Sequence, residues 1–135
     1  MIFIDTTIWV SAMDSSDKLH DDGKAVVQAL ARRSLPPAVT TDFVLDETLT
    51  LLKRRGARPG RVVELVRGIM ESEFVTTVFV EWEAFGKALS AFAKYEQLSF
   101  TDAVTLEVMR RFRIKEIYSH DSDFDLKGIV RKKRP

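Results

Sequence analysis

Apolar and polar positions fall in blocks that switch between a strand-like and a helical period. Met1-Ile2-Phe3-Ile4 is a continuous β-branched and aromatic run that stops at Asp5-Thr6-Thr7. A strand that is apolar at every position suits a sheet covered on both faces. Thr6 or Thr7 then begins a short helix through Ile8-Trp9-Val10-Ser11-Ala12, and the polar stretch Asp14–Asp22 reads as a loop. Helical spacing returns over Lys24–Arg33, with Ala25, Val26, Ala29 and Leu30 inward, until Leu35-Pro36-Pro37 stops it. A second strand, Ala38-Val39-Thr40, precedes Thr41 or Asp42, either of which can cap a helix running to about Arg55. Gly56-Ala57-Arg58-Pro59-Gly60 breaks that helix, Arg61–Ser72 is helical in spacing, and Phe74–Val80 is β-rich. Glu81–Glu96 carries Trp82, Phe85, Leu89 and Phe92 at helical spacing, which predicts a core-facing stripe. Ser99 or Thr101 caps a helix reaching Phe112, Ile114–Tyr118 is a short strand, and Ile129-Val130 forms a last one.

Strands alternating with helices predict an α/β fold: a three-layer sandwich with a mainly parallel central sheet flanked by helices. The 135 residues make one domain, 1–135, with no linker, repeat or low-complexity segment. Lys and Arg (21) nearly balance Asp and Glu (20), but the distribution is uneven. Arg131, Lys132, Lys133 and Arg134 form a basic C-terminal tail over 131–135, so residues 1–130 are net acidic. That excludes a uniformly basic nucleic-acid coat. The chain has no cysteine and two histidines, His20 and His120. Thiol nucleophiles, thiolate metal sites and histidine-built zinc sites are therefore excluded. No apolar stretch spans a bilayer and no signal-like N-terminus is visible, so the expected location is the cytoplasm.

Oxygen ligands must then carry any chemistry, and the acids fall where a ligand would bind. Asp5 follows the first strand, Asp121 and Asp123 follow the strand ending at Tyr118, and Asp102 opens a helix. In parallel α/β sheets, loops beyond the carboxyl ends of strands bind ligands. Glu47 lies inside an apolar helix, and because a helix turns about 100° per residue, only one of Asp46 and Glu47 can face a site there. Taken singly, these acids pass for helix caps, first-turn acids or turn residues. Taken together they form an oxygen-only set suited to Mg²⁺ or Mn²⁺, the cations that serve phosphodiester hydrolysis. Hydroxyls of Thr6, Thr7 or Thr101 can orient water or phosphate beside them. Arg54, Arg55, Arg58, Arg61, Arg110, Arg111 and the tail are candidate contacts for a polyanion.

Four motifs in order, D-T-T at Asp5–Thr7, T-T-D-F-V-L-D-E-T-L-T-L-L at Thr40–Leu52, L-S-F-T-D-A at Leu98–Ala103 and H-D-S-D-F at His120–Phe124, resemble PIN-domain proteins. The nearest group is the VapC-type toxin-like proteins of prokaryotic toxin–antitoxin systems. The resemblance implies a metal-dependent ribonuclease with Asp5, Glu47, Asp102 and Asp121 around Mg²⁺ or Mn²⁺. It also implies products with a 5′-phosphate and a 3′-hydroxyl, a homodimer, and a cognate antitoxin. Asp123 falls where many members carry a further acid. Two other classes remain: an inactive RNA- or partner-binding module on the same fold, and a phosphotransfer domain of haloacid dehalogenase type. The latter expects a second acid two positions after Asp5, where Thr7 stands.

Overall fold

The computed structural model describes all of residues 1–135. Its centre is a five-stranded parallel sheet of β1 (Ile2–Ile4), β2 (Ala38–Thr41), β3 (Val75–Val78), β4 (Glu116–Tyr118) and β5 (Val130–Lys132), in the order β3-β2-β1-β4-β5. Six helices flank it: α1 (Thr6–Met13), α2 (His20–Ala31), α3 (Asp42–Arg54), α4 (Pro59–Met70), α5 (Trp82–Lys94) and α6 (Phe100–Arg111). The α/β sandwich read from the sequence is therefore the observed fold. β1 is central and entirely buried, as its unbroken apolar run requires. It pairs with β2 through Ile2–Ala38 and Phe3–Val39, and with β4 through Phe3–Ile117 and Ile4–Tyr118.

The chain builds outward from β1 in one direction to β2 and β3, then returns to the other side of β1 for β4 and β5. That reversal opens a crevice beyond the carboxyl ends of β1 and β4, where ligands bind in folds of this kind. Helix starts are fixed around it by side chains. Asp5 caps α1, Thr41 caps α3 by accepting the Val44 N–H, and Ser99 caps α6 in a reciprocal box with Asp102. The Thr40 hydroxyl, buried in β2, donates to the Ile4 carbonyl and accepts from the Trp9 indole, tying β2 to both β1 and α1.

Three sequence expectations are corrected. The first helix after the acidic loop begins at His20, not Lys24, because Asp21 and Asp22 occupy its first turn, where the helix dipole favours acids. Gly23 then sits where α2 crosses α1: a Cβ there would lie 2.2 Å from Ser11 Oγ and 2.7 Å from the Ala12 nitrogen. The Trp82, Phe85, Leu89, Phe92 stripe is not in the core. All four side chains are exposed, and α5 instead buries the small Ala84 and Ala88 against the body. The basic tail is not free, since Arg131 and Lys132 belong to β5. Arg131 makes a two-pronged ion pair with Asp125, Lys132 pairs with Glu116, and Arg134 with Asp22. The last strand, expected at Ile129-Val130, runs instead over Val130–Lys132 and so takes two cations of the tail into the edge of the sheet.

Candidate active site

Asp5, Thr6, Thr7, Glu47, Leu51, Gln97, Ser99, Asp102, Asp121 and Asp123 line one cleft of about 240 Å³ at the crevice. Each acid arrives on a different element. Asp5 ends β1, Glu47 projects from the second turn of α3, Asp102 is the third residue of α6, and Asp121 begins the single 3-10 turn Ser122–Phe124 after β4. Asp46 is exposed on the other side of α3, so Glu47 is the member of that pair that faces the cleft. Thr101 does not line it; Ser99, the actual cap of α6, does. All four acids of the expected quartet, together with Asp123, Thr6 and Thr7, are brought together.

The protein grips each carboxylate by one oxygen. Asp5 Oδ2 accepts from the Thr7 hydroxyl at 2.8 Å and from Ser119 Oγ at 2.8 Å. Glu47 Oε2 accepts from Thr6 Oγ1 at 2.6 Å, and Asp102 Oδ2 from the Ser99 N–H at 2.9 Å. Asp121 Oδ1 accepts from the Asp123 N–H at 2.9 Å. Glu47 Oε1, Asp102 Oδ1 and Asp121 Oδ2 have no hydrogen-bond partner in the protein. None of the five acids takes part in any ion pair, although eleven others are formed across the chain.

That charge has visible electrostatic consequences. Burial pushes the Asp5 carboxyl above the usual carboxylate range, and its bonds to Ser119 and Thr7 pull it back. Burial also raises Glu47 and Asp102, and in both the neighbouring carboxylates add to the rise: Asp102 and Asp121 act on Glu47, Asp5 and Asp121 on Asp102. No three of these groups stand close enough together to hold an ion as they are placed. The donor set nevertheless fits a hard divalent cation: carboxylate oxygens only, three of them unpartnered, facing one cleft, with no lysine or arginine in an ion pair with any of the acids; Arg131, which donates to the Ser119 carbonyl, acts on Asp121 only through space.

Ser119 is the site residue that the sequence reading missed. It is fully buried, donates to Asp5 and accepts the Asp121 N–H at 3.0 Å, so one hydroxyl joins the acid after β1 to the acid after β4. Its signal in the sequence was its place, the first residue beyond β4 and two before Asp121. Thr7 works similarly, accepting the His120 N–H at 2.9 Å while donating to Asp5. Thr6 and Thr7 thus orient carboxylates and backbone instead of waiting free for substrate.

The candidate basic contacts separate sharply. Arg55 pairs with Asp14 and Asp17, and Arg110 and Arg111 pair with Glu107 at the far end of α6, roughly 12 Å along the axis from Asp102 at 1.5 Å per residue. Arg61 pairs with Glu64. Arg54 forms no ion pair and follows Glu47 and Leu51 at i+7 and i+3, on the face of α3 that borders the cleft.

Residues 2–129 match the PIN domain family. The chain belongs to the PIN-domain family, in its VapC-type ribonuclease group. It is 34% identical over 136 residues, 96% of each chain, to a protein of Mycobacterium tuberculosis named 23S rRNA-specific endonuclease VapC20. The crystal structure of that VapC20, described as a sarcin–ricin loop cleaving toxin, superposes with a TM-score of 0.83 and 32% identity over 96% of this chain and 97% of that one. A VapC ribonuclease of Archaeoglobus fulgidus is 34% identical over 131 residues, 95% of this chain and 81% of its own. A Klebsiella pneumoniae toxin–antitoxin complex shares the fold alone, at a TM-score of 0.67 and 16% identity, covering 96% of both chains. No helix is long and apolar enough to cross a membrane.

Proposed function

We propose that this chain is a Mg²⁺- or Mn²⁺-dependent endoribonuclease and the toxin of a toxin–antitoxin pair, acting as a homodimer in the cytoplasm. The observation that carries the reading is the set of carboxylates on separate elements, facing one cleft and none of them taken up in an ion pair. Asp5, Glu47, Asp102 and Asp121 would hold the cation, with Asp123 beside them. When bound, such an ion lowers the pKa of a coordinated water and offsets charge on the phosphate oxygens. The chain's own part is orientation. Ser119, Thr7, Thr6 and Ser99 each fix one oxygen of a carboxylate, so its other oxygen keeps a defined direction. Water attacks phosphorus, the bond from phosphorus to O3′ breaks, and O3′ takes up a proton, leaving a 5′-phosphate and a 3′-hydroxyl.

Arg54 is the contact proposed for the substrate backbone, because it alone among the arginines expected to bind RNA lies unpaired on the cleft face of α3. The name of the Mycobacterium relative makes large-subunit ribosomal RNA the first substrate to test, and the toxin–antitoxin complexes among solved structures support an antitoxin partner. The purified chain is incubated with ribosomes and with naked ribosomal RNA in Mg²⁺, cuts are mapped by primer extension, and the new ends are tested for 5′-phosphate. Discrete cuts bearing 5′-phosphate agree with the proposal. Intact RNA, or 2′,3′-cyclic phosphate ends, contradict it.

A further inference from the structure

Gln97 is the one neutral polar side chain of the cleft that makes no hydrogen bond within the protein. Thr6 donates to Glu47, Thr7 donates to Asp5, and Ser99 accepts the Asp102 N–H. Leu51 is the single apolar residue of the cleft, and it is half-buried, while Gln97 is exposed. A glutamine amide carries two N–H donors and an acceptor oxygen side by side. Without charge, it releases no counter-ions when a phosphate binds. What matches it is the edge of a nucleobase, where a donor and an acceptor also stand side by side.

The backbone that carries Gln97 is fixed on both sides. The Leu98 N–H closes a turn onto the Tyr95 carbonyl at 3.2 Å, and the Leu98 side chain is buried. The Ser99 N–H is held by Asp102 Oδ2 at 2.9 Å. Gln97 therefore stands two residues before the cap of α6 and is tied through that cap to an acid of the site. A side chain on a backbone already ordered in this way is preorganised for recognition.

Leu51 is placed by α3. Glu47, Leu51 and Arg54 follow one another at i, i+4 and i+7, on one face of the helix. At 1.5 Å per residue, Leu51 lies about 6 Å along the axis beyond Glu47, and Arg54 about 10.5 Å beyond it. An acid, an apolar surface and a cation thus succeed one another along the helix. A phosphate at the acids, a base against Leu51 and a neighbouring phosphate at Arg54 would occupy them in that order.

We infer that Gln97 and Leu51 form a nucleobase subsite beside the acidic cluster, Leu51 giving the base an apolar surface and the Gln97 amide pairing with its edge. The inference rests on the ribonuclease reading for its ligand and adds the residues that select sequence. Single-stranded and looped RNA is recognised through unstacked bases, by contact with their faces and hydrogen bonds to their edges. The charged groups of the cleft act on phosphate and cation, which are the same at every nucleotide, so they cannot tell one sequence from another.

The test is fluorescence anisotropy of four labelled RNA octamers, of adenosine, of cytidine, of uridine, and of alternating guanosine and uridine. They are titrated with the full chain in Ca²⁺ at several salt concentrations, for the wild type, Gln97→Leu and Arg54→Met, with far-UV circular dichroism to confirm folding. The wild type is expected to separate its tightest octamer from its weakest by roughly 10-fold or more, the effect of one well-paired base edge. In Gln97→Leu the four affinities are expected to draw together to within about 2–3-fold, with the wild-type slope against log salt, because no charge is removed. Arg54→Met is expected to weaken all four alike and keep their order. A wild type that binds the four octamers alike overturns the inference, and so does a Gln97→Leu that keeps the wild-type order and spread. Either result leaves the ribonuclease reading to stand on its cuts. A base order that depends on Gln97, in a chain that cuts no RNA in Mn²⁺, supports the subsite and overturns the ribonuclease reading instead.

Discussion

Ser119 donates its hydroxyl proton to Asp5 across 2.8 Å, joining residues 114 positions apart in the sequence. The same oxygen accepts the Asp121 N–H, so the ends of β1 and β4 are fastened through one atom. Ser119→Ala is expected to leave the fold intact and cost about 1–3 kcal/mol, because a buried acceptor and an N–H lose their partner. Cleavage is expected to fall by roughly 10–100-fold, the usual effect of removing a group that orients a metal ligand. Chemical denaturation and cleavage assays read the two effects. Unchanged cleavage would make Ser119 structural only.

Arg54 and Arg55 are neighbours with opposite expected roles. Arg54→Met should weaken RNA binding and reduce the slope of log affinity against log salt by about 0.7, one phosphate contact on a single strand, with stability unchanged. Arg55→Met should leave RNA binding alone and cost about 1 kcal/mol, discounted for a guanidinium that is partly exposed. Its effect also depends on pH. Hydrogen bonds to Ser16 and Arg55 hold Asp14 below the usual carboxylate range, and the Arg55 bond does the same for Asp17. The stability these pairs contribute is present above the ordinary aspartate pKa of about 3.9 and is lost as pH falls through their lowered values. The gap between wild type and Arg55→Met should therefore be full at neutral pH and close in strong acid. Denaturation at several pH values measures it.

Gly23→Ala tests the close crossing of α1 and α2. Alanine is the better helix former by about 1 kcal/mol. Its Cβ, however, would fall within 3 Å of backbone at Ala12 and Ile8 as well as on Ser11 Oγ. Overpacking of that kind costs roughly 1–3 kcal/mol, so the variant is expected to melt lower than the wild type. A higher melting temperature would mean that the two helices separate freely.

Much of this was legible in the sequence, for identifiable reasons. The acids at Asp5 and Asp121 sit at strand ends, and an unbroken apolar β1 can only be a central strand, so their convergence follows from parallel topology. Glu47 was separable from Asp46 by helical rotation only once the inner face of α3 was known. The α5 stripe was misread because periodicity reports a face, not what covers it; the contact that buried Ala84 and Ala88 was the true inward one. The tail was misread because ion pairs such as Arg131–Asp125 join residues whose closeness depends on β5 docking beside β4. Ser119 carries no charge and no motif, and its role comes entirely from the two loops it joins.

Metal binding should appear as stability. Mg²⁺ or Mn²⁺ is expected to raise the melting temperature of the wild type by binding the folded chain preferentially. Asp102→Asn keeps an oxygen for the Ser99 N–H and removes one charge that neighbouring Asp5 and Asp121 repel. In chelator it should melt no lower than the wild type, and it should gain less from added metal. A lower melting temperature in chelator with a normal response to Mg²⁺ would make Asp102 a helix cap alone.

The central claim is that Asp5, Glu47, Asp102 and Asp121 act as one cation-dependent unit on RNA. It is tested most directly by cleavage of a single RNA by the wild type and by Asp5→Asn, Glu47→Gln, Asp102→Asn and Asp121→Asn, prepared identically, in Mn²⁺, in chelator, and after Mn²⁺ is restored. The wild type should cut in Mn²⁺, stop in chelator and resume on restoration, while each variant, still folded, loses on the order of 100-fold or more. Cleavage that persists in chelator, or that survives in the four variants, would contradict the claim.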